Sequence, residues 1–497
     1  MTLWEILKAN KTGIAPDMFT MLAASKMNGG RDRLHELSGT PPLSFTAKGK
    51  PLTAWSITGN TVQNGTPTPE NPVEVVGVGD RTGNLFDSST LANDYTLNST
   101  TGLPYAFPKR IATLIPIDVS TLTIVTLSYQ SEITNTMFIY AVLNGSTLVS
   151  RVASNHSGDT IDVSGGDNLY ISFYSQPDNI TTDKISNIML NEGSTPLPYE
   201  PYGYKIPVVT RGKNLFDKEN ASPKAVTNRG VFVKNSSYIS SNYISVSPNT
   251  TYTKIPIIKS GQFHDLCEYD ENKIFIRHIY TANNGTFTTS EKTKYIVFNI
   301  AKLNIDIAQL EKGSTATPYE PYHEPITTPI YLDSPLYKIG NYADRLSKTE
   351  EVRVVKELVL TGKEDIFYGD AYTRFRVNIA DFETFGLRAT PFYMSHYIVV
   401  SDGRPLPDVP DNAAYSGSSS DNHCIFIKTT NYTTVADFKS YLAAQYAAGT
   451  PVKVYYVLAT PETKTVEPVE IPTLNGTTVI DVDTAVKPES MTIKYRR

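Results

Sequence analysis

Two stretches of this 497-residue chain begin alike and end alike. Arg81-Thr-Gly-Asn-Leu-Phe-Asp87 returns 130 positions later as Arg211-Gly-Lys-Asn-Leu-Phe-Asp217. Met189-Leu-Asn-Glu-Gly-Ser-Thr-Pro-Leu-Pro-Tyr-Glu-Pro-Tyr202 returns 120 positions later as Gln309-Leu-Glu-Lys-Gly-Ser-Thr-Ala-Thr-Pro-Tyr-Glu-Pro-Tyr322. Two units of about 110 to 120 residues therefore follow one another. Solenoid repeats of about 20 to 50 residues are too short for this period, whereas a sandwich of about eight or nine strands fits it and closes its own core. Asn-Leu-Phe-Asp is expected to place Leu and Phe on an edge strand. The prolines of Pro-Tyr-Glu-Pro-Tyr keep it out of an interior ladder. It is expected to act as a terminal clip, with Tyr199, Tyr202, Tyr319 and Tyr322 lying back on their sandwiches in a structural role.

Elsewhere the pattern is strand and turn. Tyr170–Tyr174, Lys294–Phe298 and Val452–Val457 are β-branched and aromatic runs, and Asn-, Gly-, Ser- and Asp-rich turns such as 144–146, 165–167 and 283–285 separate such runs. Two places read as helix. Pro16 and Asp17 can start one, with Met18, Phe19, Leu22 and Met27 on one face before Gly29 and Gly30. Thr434 can cap another over 435–447, with Asp437 three residues on, Phe438, Leu442 and Tyr446 at helical spacing and Gly449 as the stop. The expected class is mainly β, divided into a helical anchor (1–34), a small β-module or connector (35–83), a sandwich (84–202), a linker (203–213), a second sandwich (214–322), a linker (323–349), a C-terminal β-module with one helix (350–470) and a closing β-segment (471–497).

Charge and cysteine content narrow the function. Forty-five Lys and Arg against 50 Asp and Glu leave a net charge of −5, the opposite of the basic excess expected of a nucleic-acid binder. Cys267 and Cys424 are too few for a zinc site or disulfide framework and read as buried small hydrophobes. No apolar run is long enough to span a membrane, and the N-terminus lacks a secretory signal, so synthesis in a cytoplasm is expected. The seven histidines show no metal-ligand spacing, and neither a nucleophile elbow nor a phosphate-binding loop occurs; no catalytic residue, cofactor or metal is assigned. Asp159, Asp162 and Asp167 flank Ser164-Gly165-Gly166, a loop with oxygen ligands for calcium, but a solvated turn is the favoured account. The 31 tyrosines are the one suggestive surplus. Sugar rings stack on aromatic faces while amides and carboxylates bind their hydroxyls. Tyr170, Tyr174, Tyr280 and Tyr295 are the candidate glycan contacts, set against cross-strand packing with wet hydroxyls.

The repeated boundaries resemble those of jelly-roll modules, similar to carbohydrate-binding domains, in tail and baseplate proteins of phages and prophages of Gram-positive bacteria. Pro41 to Asp87, including Trp55-Ser-Ile-Thr-Gly-Asn60 and Gly65-Thr-Pro-Thr-Pro-Glu-Asn-Pro72, resembles the lead-in of the same group. So do Leu358-Val-Leu-Thr-Gly-Lys-Glu364, Asp437–Val452 and Tyr456-Val-Leu-Ala-Thr-Pro461. The resemblance implies tandem jelly-roll sandwiches in a virion protein of the tail tip or baseplate, a fibre or receptor-binding subunit, homotrimeric by the group's habit and without catalytic residues. Trp4, Ile6, Leu7, Met18, Phe19 and Leu22 would then dock the chain on other tail proteins, since a short amphipathic helix has too little core to stand alone, and the β-modules would meet host cell-surface polysaccharide during adsorption. A spacer or decoration protein that binds no receptor is the alternative. A glycan depolymerase is a third, disfavoured because its usual β-helix would show regular short repeats.

Overall fold

Alternation sets the outermost strands. Leu43–Lys48 reads Leu-Ser-Phe-Thr-Ala-Lys and buries every second residue, as a strand with one wet face must. In the computed structural model, which describes residues 33–176, 179–255, 266–279, 285–369, 374–383, 390–417 and 423–497, this strand belongs to a central sandwich gathered from widely separated parts of the chain. The larger sheet runs Leu34–Gly39, Ser490–Arg496, Ala54–Thr58, Arg345–Ser347, Glu350–Leu360, Val452–Thr465, Tyr393–Met394. The smaller runs Leu43–Lys48, Asn475–Val482, Tyr204–Gly212, Ile326–Leu332, with Asp80–Arg81 also on Tyr204–Gly212. Trp55, Ile57, Leu346, Met491 and Ile493 from one sheet meet Phe45, Ile206, Val208, Ile330 and Ile480 from the other in a shared core.

This arrangement corrects the expected linkers. Tyr204–Gly212, within the expected linker 203–213, is an inner strand paired on both sides, and its Ile206 and Val208 are fully buried. Ile326–Leu332, within the expected linker 323–349, is its neighbour. Pro207 and Pro329 sit directly opposite each other in the ladder. The 35–83 module and the 471–497 segment are likewise not separate units: their strands pair with each other, Leu34–Gly39 with Ser490–Arg496 and Leu43–Lys48 with Asn475–Val482.

Three units are inserted into this sandwich. In module 1, a sheet of Thr160–Asp162, Ile124–Ser131 and Ile185–Glu192 faces one ordered Thr147–Asn155, Met137–Asn144, Asn168–Tyr174, Pro104–Thr113, Leu91–Leu97, with Ile117–Asp118 also on Asn168–Tyr174. Module 2 repeats the plan with Thr286–Thr288, Thr251–Ile255 and Gln309–Lys312 facing Phe275–Ile279, Leu266–Tyr269, Tyr295–Ala301, Tyr238–Ser240, and with Ile244–Ser245 on Tyr295–Ala301. Each has its own core, around Phe86, Phe138 and Phe173 in one and Phe216, Tyr252 and Phe298 in the other.

The repeated residues explain the repeat. Asn84 and Asn214 are buried, 4% and 2% exposed. The Asn84 amide donates to the carbonyls of Ile188 and Glu200 and accepts from the N–H groups of Phe86 and Leu190, all between 2.8 and 3.0 Å. Asn214 makes the matching four bonds to Ala308, Glu320, Phe216 and Leu310. A side-chain amide has two donors and a two-pair acceptor, so one residue ties the first strand, the last strand and the closing tail together. Asp87 and Asp217 then turn the chain by accepting from the N–H of the residue two places on.

The third insertion leaves the larger central sheet on Glu350–Leu360 and returns on Val452–Thr465, paired from Leu360↔Val452 to Glu350↔Thr465. It holds a sheet ordered Ile366–Gly369, Arg374–Asn378, Cys424–Lys428, Ala413–Ser416, Ile398–Val399. The helix Val435–Ala447 covers it, capped by Thr434, which accepts from the Asp437 N–H. Phe438 and Leu442 are buried there while Tyr446 is exposed. Cys267 and Cys424 are both buried. The expected N-terminal helix lies outside the described residues. No helix among the described residues is long and apolar enough to cross a membrane.

Candidate binding clefts at the module joints

The candidate tyrosines do not form one site. Tyr170 and Tyr295 hold equivalent places, because in Tyr170-Ile-Ser-Phe173 and Tyr295-Ile-Val-Phe298 the Ile and Phe are buried in their module cores and the tyrosines fall on the other face. Each packs half-buried into a second apolar cluster there, Tyr170 beside Ile139 and Leu143, Tyr295 beside Tyr269 and Val297. Burial pushes the Tyr170 hydroxyl pKa up. Tyr174 is only 7% exposed; its hydroxyl lies 3.1 Å from that of Ser154, and the Arg110 guanidinium stands 4.9 Å from its ring. Tyr295 meets Tyr243 edge to face at 6.2 Å, with the Lys273 ammonium 5.9 Å from its ring. Tyr280 and the docking residues Trp4, Ile6, Leu7, Met18, Phe19 and Leu22 lie outside the described residues.

The closing tails correct a second expectation. Tyr199, Tyr202 and Tyr319 are exposed rather than laid back on the sandwiches, and the clip is made by the glutamate between them. Glu200 accepts from the Gly83 N–H at 3.0 Å and pairs with Lys205 at 2.5 Å. Glu320 accepts from the N–H and hydroxyl of Thr477, both at 2.9 Å, and pairs with Lys213 at 3.2 Å. Burial raises both carboxyl groups, but these donors outweigh it and hold each below the usual glutamate range. Thr477 lies on Asn475–Val482 and Lys205 on Tyr204–Gly212, so the tails fasten the modules to the central sandwich.

A cleft opens at each joint. The joint of module 1 encloses about 400 Å³ and is lined by Arg81, Tyr202, Tyr204, Lys356 and Glu357 among others. The joint of module 2 encloses about 710 Å³ and is lined by the repeat counterparts of Arg81 and Tyr202, Arg211 and Tyr322, together with Lys294, Lys312 and Asp481. In the first joint Arg81 is exposed but held by tyrosine rings, its guanidinium 4.5 Å from the Tyr204 ring and 6.0 Å from that of Tyr202. In the second, Glu324 stands where the repeat has Tyr204, and His323 where it has Gly203. Gly203 adopts a φ of +126°, and a Cβ built there would come within 2.5 Å of the Leu332 carbonyl. The first joint can close this tightly only with glycine; the second carries a side chain at that place and stays wider.

The acidic loop offers no comparable concavity. Asp159 accepts from the His156 N–H, Asp162 from the Ser164 N–H and Asp167 from the Gly145 N–H. Each carboxylate thus serves its own turn, and no cluster of three or more His, Cys, Asp or Glu suited to a metal ion occurs among the described residues. Arg81 and Arg211 were legible as the first residue of the duplicated motif. What the sequence did not reveal is that strands from the far end of the chain wall their clefts. No family model, curated protein or solved structure matches the chain.

Proposed function

We propose that this chain is a bacteriophage virion protein of the tail tip or baseplate, a fibre or receptor-binding subunit that holds host cell-surface glycans through its inserted β-modules. The observation that carries this reading is one scaffold bearing two modules of the same strand order. Set aside Leu91–Leu97 and Ile117–Asp118 and count the pairing of Leu85 with Leu190 as a first strand. The sheets then run first-eighth-third-sixth and second-seventh-fourth-fifth, which supports a jelly-roll assignment for each module. Duplicated modules suit adhesion, because tethered weak sites gain avidity by factors of about 10² to 10⁴. In a homotrimer the gain would compound. Residues 1–34 would dock on neighbouring tail proteins, and the chain would work without catalysis or cofactor.

The test is co-sedimentation of the full-length chain with cell-wall polysaccharide purified from Gram-positive bacteria, joined to immunogold labelling of phage particles. Saturable binding and label at the tail tip are expected. Label at the tail with no binding to any wall polysaccharide would favour a spacer instead, and release of reducing sugar would make the chain an enzyme.

A further inference from the structure

We infer that the wide cleft at the joint of module 2 binds a saccharide carrying an acidic group, a carboxylate or a phosphate; this rests on the glycan-adhesion reading and assigns it a place. The cleft, about 710 Å³, is of a size that holds a small ligand. Its lining offers what a sugar needs: the half-buried Tyr322 ring and the Pro248 and Pro325 faces for ring carbons, and the exposed Asn242 amide for hydroxyls.

Charge decides the class. Arg211, Lys294 and Lys312 all line the cleft; Lys294 and Lys312 are exposed and Arg211 half-buried, and none forms an ion pair with the described residues. The carboxylates on the same walls are already engaged. Asp217 accepts from the Glu219 N–H at 3.0 Å and the Asn220 amide at 2.6 Å, Asp481 from the Val482 N–H at 2.9 Å, and Asp483 lies 3.9 Å from Lys487. Acceptors with donors beside cations without acceptors leave an opening for an anion, and guanidinium is the group best shaped to take a carboxylate or phosphate in two parallel bonds. The first joint supplies the contrast, since there the rings of Tyr204 and Tyr202 already engage the guanidinium of the equivalent Arg81.

The experiment is calorimetric titration of the full-length chain with trigalacturonate, glucose 6-phosphate and neutral maltotriose at low and high salt. One or both acidic probes should bind, more weakly as salt rises, and maltotriose at least about tenfold more weakly, the ratio expected from one charge-assisted contact. The two acidic probes tell carboxylate from phosphate. Arg211→Ala should cost about tenfold, as should Lys294→Ala with Lys312→Ala, a pair at exposed positions that spares the fold. Arg81→Ala should change nothing. Equal binding of maltotriose, no binding of either acidic probe, or full affinity in both variants would overturn the assignment. Wall-polysaccharide binding undiminished by Arg211→Ala would refute the cleft and leave adhesion standing. Acidic-probe binding without wall binding would do the reverse.

Discussion

Modules 1 and 2 hang from opposite ends of a single strand: the first ends where Tyr204–Gly212 begins, and the second starts where it stops. They share the asparagine staple, the buried phenylalanine behind it and the strand order. They diverge at two places. At the joint, Gly203 and Tyr204 draw module 1 tightly onto the scaffold and the Tyr204 ring stacks on Arg81, while His323 and Glu324 leave the half-buried Arg211 without a ring contact among the described residues. On the second strand of the larger sheet, module 1 places Tyr140 in its core where module 2 buries Glu268. That carboxylate takes a two-point contact from Arg277, at 2.7 and 3.2 Å, and a 2.8 Å bond from the Ser290 hydroxyl. Duplication has kept the residues that close a module and varied those that face the joint and one inside the core.

The largest expected effect tests the shared part. Asn84→Ala and Asn214→Ala each remove four bonds and strand backbone groups without partners, so each should cost about 3 to 4 kcal/mol. Hydrogen exchange should place the loss in the module that carries the change. A large loss in one module and none in the other would break the equivalence.

Glu268→Gln comes next, at about 2 kcal/mol, the scale of a buried charged hydrogen bond. It also carries a pH signature. Burial raises the Glu268 carboxyl, but the bonds from Arg277 and Ser290 outweigh it and hold it below the ordinary value of 4.5. The stabilisation is therefore complete above that value and is lost as pH falls through the depressed folded-state value. Acid should open module 2 before module 1, where Tyr140 does not titrate in that range, and Glu268→Gln should flatten the acid limb. Hydrogen exchange at stepped pH measures both. The joint glutamates obey the same sign with a smaller amplitude, about 1 kcal/mol for Glu320→Gln or Glu200→Gln, read as faster exchange at Thr477 or Gly83.

The smallest change sharpens the contrast between the joints. Tyr204→Ser removes the ring held against the Arg81 guanidinium and should give the acidic probe a second, weaker site, seen as a rise in stoichiometry, for about 1 kcal/mol of lost stability. Unchanged stoichiometry would mean that the ring on the guanidinium is not what separates the two clefts.

Periodic and capped segments were readable one at a time. Val435–Ala447 is announced by Thr434, Asp437 and Phe438, and Asn168–Tyr174 by its aromatic alternation, because local geometry alone selects them. Tyr204–Gly212 was not, since Pro207 argues against a strand and only the two neighbours, Ile326–Leu332 and Asn475–Val482, override it. The tyrosines of the closing tails drew attention by size, yet their glutamates carry the contacts, for the partner Thr477 lies 157 positions away.

The chain's own order of residues determined that two like β-units exist, where each opens and closes, and which asparagine and phenylalanine repeat in both. Tertiary structure alone decided that the stretches between and around them form a single sandwich, and which arginine of the repeated pair has its guanidinium held by tyrosine rings. The physical reason is range: side-chain alternation and turn chemistry act over a few residues, whereas sheet partners and cleft walls are chosen among segments hundreds of positions apart, by shared burial that no local pattern records.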